Sequence, residues 1–238
     1  MPAARLTLVL LPGMDGTGEL FEPFIAAIAG EFNVKVVRYP TDKPWGYAEL
    51  EAFARVALPT EGPFVLVGES FSGPIAIALA ASAPHQLKGL VLCCTFVRNP
   101  RPLFAGLRSL IGFVPVGLAP VGVLSHLLLG RFSTAALRAT LAKSLAQASP
   151  SALRARLMAV LRIDVSAKFA AVTVPTLYLR ASSDRLVPPS ASALVSQLSP
   201  NTRIVELDAP HFLLQAAPLE AAYAVRAFVH EILQAEAL

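Results

Sequence analysis

Short runs of almost purely apolar residues, at positions 5–11, 33–39, 64–68 and 87–94, alternate with segments whose apolar residues recur every three or four positions. This alternation is the strongest constraint on the fold. A strand apolar on both faces must be covered on both faces, and a helix between consecutive strands is the connection that covers it. Helical spacing runs over 19–29, 46–58 and 74–81, and the pattern resumes with a strand at 173–179, a helix at 189–198, a strand at 202–207 and a closing helix at 215–234. The expected architecture is α/β: a mostly parallel open sheet of about six strands with helices on both faces.

Between the fourth and fifth runs lie about 75 residues with no strand-like pattern. Residues 98–162 are therefore expected to form a helical insertion, with 1–97 and 163–238 forming the core. Charge marks the same boundary. No acidic residue occurs between Glu69 and Asp164, and nine bases fall within 98–162, so that segment carries +9 while the remainder carries eleven bases against sixteen acids. Leu137, Leu141, Leu145, Leu153 and Leu157 place two amphipathic helices in 134–161, interrupted at Ser149-Pro150. Residues 109–130 are uncharged over membrane-span length, but Gly112, Pro115, Gly117, Pro120, Gly122 and His126 burden a lipid-exposed helix. A hydrophobic lid over a pocket, or a surface dipping into a membrane, is the expectation.

With 55% hydrophobic and 15% charged residues, a disordered chain is excluded. No basic run with interleaved aromatics and no zinc-finger spacing points to nucleic acid. Cys93 and Cys94 lie in an apolar run and read as buried thiols without metal-ligand spacing, so no metal is expected. Gly13, Gly16 and Gly18 match neither a P-loop nor a dinucleotide fingerprint, so no cofactor is expected either. The N-terminal residues lack a charged-then-apolar leader, and the expected location is cytoplasmic.

The chemistry concentrates at Gly68-Glu69-Ser70-Phe71-Ser72-Gly73, where the third strand passes into a helix. A serine on such a turn sits on a strained backbone with small residues, here Gly68 and Ser72, two places to either side. Its hydroxyl rises above the carboxyl edge of the sheet, and the N–H of Phe71 points into the same space.

This segment resembles the nucleophile elbow of the α/β-hydrolase superfamily, which usually has Gly where this chain has Ser72. The resemblance implies a second oxyanion donor after the first strand, in Leu11-Pro12-Gly13-Met14-Asp15-Gly16-Thr17-Gly18. Pro12 stands where the family has His, and the N–H of Met14 takes the donor's place. It further implies an acid at Asp184, a base at His211, and the chain order Ser70, Asp184, His211. Asp208, three residues before His211, suits a turn better than the acid role. His85, His126 and His230 read as surface or structural residues. For Glu69 two readings stay open: an influence on the pocket, or a partner for a polar group of a neighbouring strand.

The implied activity is that of a serine hydrolase cleaving a carboxylic ester through an acyl-enzyme, with a short or medium apolar acyl chain. Leu103, Phe104, Leu107 and Phe113, with Val187 and Phe212, are the expected substrate-binding residues. The insertion's position is similar to the lid of carboxylesterases of the pimeloyl-acyl-carrier-protein methyl esterase group, and the two glycine-rich motifs resemble phytyl-ester-synthase-type acyltransferases. An acyltransferase or thioesterase on acyl-carrier-protein or CoA-linked groups, and a receptor that keeps only the pocket, are the alternatives. The basic insertion suits an acidic carrier protein or an anionic membrane surface, or is simply solvated.

Overall fold

The computed structural model describes residues 5–102 and 121–236. Six strands form one parallel sheet: β1 (Thr7–Leu11), β2 (Asn33–Val36), β3 (Phe64–Glu69), β4 (Leu87–Cys93), β5 (Thr176–Ala181) and β6 (Arg203–Leu207), in the order β2-β1-β3-β4-β5-β6. The two-residue period of a strand divides their side chains between two cores. Leu8, Leu10, Val65, Val67, Val91, Leu177 and Leu179 face one side. Val9, Leu11, Phe64, Leu66, Leu90, Leu92 and Tyr178 face the other.

On the first side lie α1 (Glu22–Ala27), the short α9 (Leu213–Ala216) and α10 (Pro218–Glu236), which contribute Phe24, Leu213, Val225 and Phe228. On the second lie α2 (Tyr47–Val56), α3 (Gly73–Ala81), α7 (Ser166–Ala170) and α8 (Pro189–Leu198), contributing Leu50, Ile75, Leu79, Phe169 and Val195. All nine of these helical side chains are fully or almost fully buried. Each is worth about 1.5–3 kcal/mol relative to exposure.

Some limits differ from the pattern in the sequence, for local reasons. The fifth strand starts at Thr176 rather than 173, because Pro175 has no N–H to give the ladder. The closing helix divides before Pro218, whose fixed φ starts a new helix more readily than it continues one. Within the insertion are α4 (Val121–Leu128), α5 (Ala135–Gln147) and α6 (Pro150–Val160). Thr134 and Ser149 cap α5 and α6 by accepting from the N–H of Leu137 and Ala152. Ser149-Pro150 thus separates two helices, as its N-cap and first-turn proline dictate. Among the described residues no helix is long and apolar enough to cross a membrane. Most of the 109–130 run lies outside the described residues.

The strand order positions the site. From β1 the chain moves outward to β2, then returns past β1 to β3 and proceeds the other way, so the connections diverge at the carboxyl ends of β1 and β3. Crevices open at such a divergence. The register aligns Leu11 with Gly68, Glu69 with Cys93 and Ala181 with Leu207, bringing the loops after β1, β3, β5 and β6 to one edge.

Candidate active site

Ser70 sits between β3 and α3 with φ 48°, a left-handed conformation that costs a serine energy and persists only where its surroundings enforce it. Close packing enforces it here. A Cβ on Gly68 would lie 2.7 Å from the Cβ of Ala76, and one on Gly73 would lie 1.9 Å from Oγ1 of Thr95. The Thr95 hydroxyl donates to the Ser70 carbonyl. Ser72, where the family pattern has glycine, is fully buried and finds work for its hydroxyl: it donates to the Pro12 carbonyl and accepts from the Tyr39 hydroxyl at 2.8 Å. It thereby ties the turn to the β1 loop.

Oγ of Ser70 is 2.8 Å from Nε2 of His211, and Nδ1 of His211 is 2.8 Å from Oδ2 of Asp184. Oδ1 of Asp184 accepts from the N–H groups of Leu186 and Val187, at 2.8 and 2.9 Å. With its carboxylate so occupied, Asp184 can hold the imidazole as the tautomer protonated at Nδ1, which leaves Nε2 to accept the serine proton. Main-chain bonds from Ser182 to Leu207 and from Ser183 to Ala209 join the loops bearing Asp184 and His211. Asp208 points elsewhere, bonding Arg131 and the Ser182 hydroxyl, and its side chain is exposed.

Phe71 follows Ser70 in a single 3-10 turn, Ser70–Ser72, which closes with the N–H of Gly73 on the Ser70 carbonyl. Its own N–H precedes that closure and has no partner within the turn. The Phe71 ring is buried and stacks on Tyr47 at 4.7 Å. Met14 borders the same cavity as Ser70. The Gly13 carbonyl accepts from the N–H of Gly16 at 3.1 Å, closing a turn over 13–16.

The cavity above Ser70 has a volume of about 570 Å³. Around Ser70 it is lined by Gly13, Met14, Asp15, Glu69, His211 and Phe212. Its far wall is aliphatic: Leu124, Leu127 and Leu128 from α4, Leu141 and Leu145 from α5, Leu153 and Leu157 from α6. Of the expected substrate contacts, Phe212 is on the wall. Val187 is not; it packs with Phe96 and Ala191 behind the acid loop, and Leu186 takes the place facing the cavity. Leu103, Phe104, Leu107 and Phe113 lie outside the described residues.

Glu69 is buried beside the serine. Gln215 donates to it at 2.9 Å and also to the Leu20 carbonyl at 3.1 Å. Burial raises its pKa from 4.5 to about 7, with Asp15 adding to the rise and Gln215, His211 and the N–H of Gly13 opposing it. Glu69 borders the pocket, and its polar partner is Gln215 of α9 rather than a group on a neighbouring strand. Gln215 has no signature in the sequence, being one polar residue in an apolar helical run. His85, His126 and His230 are exposed. Arg185 donates to Nε2 of His126 at 2.6 Å, a link between α4 and the acid loop. Cys93 and Cys94 are buried free thiols. Among the described residues no group of three His, Cys, Asp or Glu is placed to hold a metal.

Residues 8–225 match the model of the alpha/beta hydrolase family, and the chain belongs to that family. It is 28% identical over 225 residues, 84% of this chain and 82% of the other, to the "Putative carbamate hydrolase RutD" of Serratia proteamaculans. Its fold is similar to the enol-lactonase of Burkholderia xenovorans, with TM-score 0.78, 18% identity and coverage of 98% of this chain and 92% of that one. An esterase of Thermogutta terrifontis is similar at TM-score 0.80 and 20% identity, covering 97% and 91%.

Proposed function

We propose that this hydrolase is a serine esterase acting on carboxylic esters with a short or medium aliphatic acyl group. The reading is carried by the continuous path from Ser70 Oγ through His211 to Asp184, opening on a cavity walled by leucines. A serine hydroxyl is a weak nucleophile until a base takes its proton. As Oγ adds to the ester carbonyl, the proton passes to Nε2 of His211, and Asp184 stabilises the imidazolium. The N–H groups of Met14 and Phe71 face the oxyanion, a contribution of about 3 kcal/mol per donor. Collapse expels the alcohol, which takes the proton from His211. Water then repeats the sequence to release the acid.

Recognition of an acidic carrier protein or membrane surface by the basic insertion is a narrower proposal. Arg131 and Lys143 already pair with Asp208 and Glu19 of the core, and Arg156 is interior. Part of the insertion's positive charge thus complements the core's negative charge.

Turnover of 4-nitrophenyl esters from acetate to palmitate, with a 4-nitrophenyl carbamate for the class of the named relative, tests the reading. We expect an optimum at short or medium chains and a loss of at least about 10⁴-fold in Ser70→Ala. Unchanged turnover in that variant would refute it. Partition of the acyl group between water and added hexanol separates hydrolysis from acyl transfer.

A further inference from the structure

Arg156 is the one arginine of α6 whose side chain is wholly buried. Its Nη1 donates to the carbonyls of Met14 at 2.8 Å and Asp15 at 3.0 Å, and Nη2 donates to the carbonyl of Pro40 at 2.8 Å. The guanidinium lies 5.8 Å from the Tyr39 ring centroid, and the buried Asp15 carboxylate is near enough to favour its charge. Met14 and Asp15 are the two central residues of the 13–16 turn. Their carbonyls have no partner within such a turn, and buried carbonyls need one.

We infer that Arg156 is a positioning residue for the acyl oxygen: by gripping the Asp15 carbonyl it holds the Asp15–Gly16 peptide, whose N–H fixes the Gly13 carbonyl and with it the Gly13–Met14 peptide that carries the Met14 N–H. This inference rests on the serine-esterase reading and adds a residue to it. The turn's other supports complete this chain or act beyond it. The N–H of Gly16 holds the Gly13 carbonyl, the N–H of Tyr39 holds the Gly16 carbonyl at 2.9 Å, and Ser72 holds that of Pro12. Arg156 alone, among the described contacts, fixes the two carbonyls that follow the donor. A planar fork suits this task, since one nitrogen spans two neighbouring oxygens while the second anchors to another segment. Leu153 and Leu157 of the same helix line the cavity, so α6 touches both the acyl site and the turn.

The test compares Arg156→Met and Arg156→Lys with the wild type on a 4-nitrophenyl ester and on an alkyl trifluoromethyl ketone, whose adduct with a serine presents an oxyanion. We expect kcat of Arg156→Met to fall roughly ten- to a hundred-fold, less than outright loss of a donor, with KM little changed and ketone inhibition weakened by a similar factor. Arg156→Lys, which keeps the charge but not the fork, should fall between; it carries the test alone if the methionine variant does not fold. Wild-type kcat in the variants, or a lower kcat with undiminished ketone inhibition, would overturn the inference. Fluorophosphonate labelling of the wild type keeps the two ideas apart. A labelled wild type with unaffected Arg156 variants defeats the positioning role alone, whereas an unlabelled wild type defeats the esterase reading and this inference with it.

Discussion

Replacing Glu69 by glutamine should change how stability depends on pH. The folded protein holds this carboxyl protonated up to about pH 7, against 4.5 for an ordinary glutamate, because burial disfavours the charge. Between those values the unfolded chain has released the proton and the folded one has not, so stability falls as pH rises. Above about 7 both states are ionised and this contribution stops changing. The window spans roughly two and a half pH units, and at about 1.4 kcal/mol per unit the wild type loses about 3 kcal/mol across it. Glutamine does not titrate. It can still accept from Gln215, and any mismatch with the N–H of Gly13 is the same at every pH. Urea unfolding at pH 5, 6, 7 and 8, followed by fluorescence of Trp45, the single tryptophan, measures both proteins. Other titrations occur in both and cancel in the difference. The stability of Glu69→Gln relative to wild type should rise by about 3 kcal/mol across the window and then level off; with a urea slope near 3 kcal/mol per molar, that is a midpoint shift of about 1 M. Parallel curves from pH 5 to 8 would refute the assignment of a buried, neutral Glu69.

Gly73→Ala should destabilise the protein by about 3 kcal/mol or more, because the added methyl meets Thr95 at 1.9 Å in the turn that holds Ser70. A melting temperature within about 2 °C of wild type would contradict it. Leu157→Trp, which fills the far wall of the cavity, should shorten the longest acyl chain turned over, each excluded methylene costing about 1–3 kcal/mol of specificity. Acetate turnover should be nearly unaffected, and an unchanged chain-length profile would show that the acyl group lies elsewhere.

The fold was legible because buried parallel strands write continuous apolar runs and their helices write a different period. Residues 189–198 show both limits of α8 without error, since Pro188-Pro189 and Ser199-Pro200 punctuate the helix at each end. The loop motifs made Ser70, Asp184 and His211 candidates, and the structure places them in hydrogen-bond sequence. Other parts left no local trace. Strand order depends on which way each connection turns, and no single segment encodes that. Arg156 looks like one of nine bases in the 98–162 segment, because its partners Met14 and Asp15 lie 142 and 141 residues away. Val187 and Leu186 differ by one position on a loop, where no periodicity says which side chain faces inward. The Glu69–Gln215 bond likewise joins residues 146 apart.

The grip of Arg156 on the β1 loop has a consequence for engineering by chimera. Grafting a foreign cap onto this scaffold would remove the only cation reaching the Met14 and Asp15 carbonyls among the described contacts, so specificity and turnover would not be separable modules. A successful transplant would have to bring a matching guanidinium, or a redesigned loop that no longer asks for one.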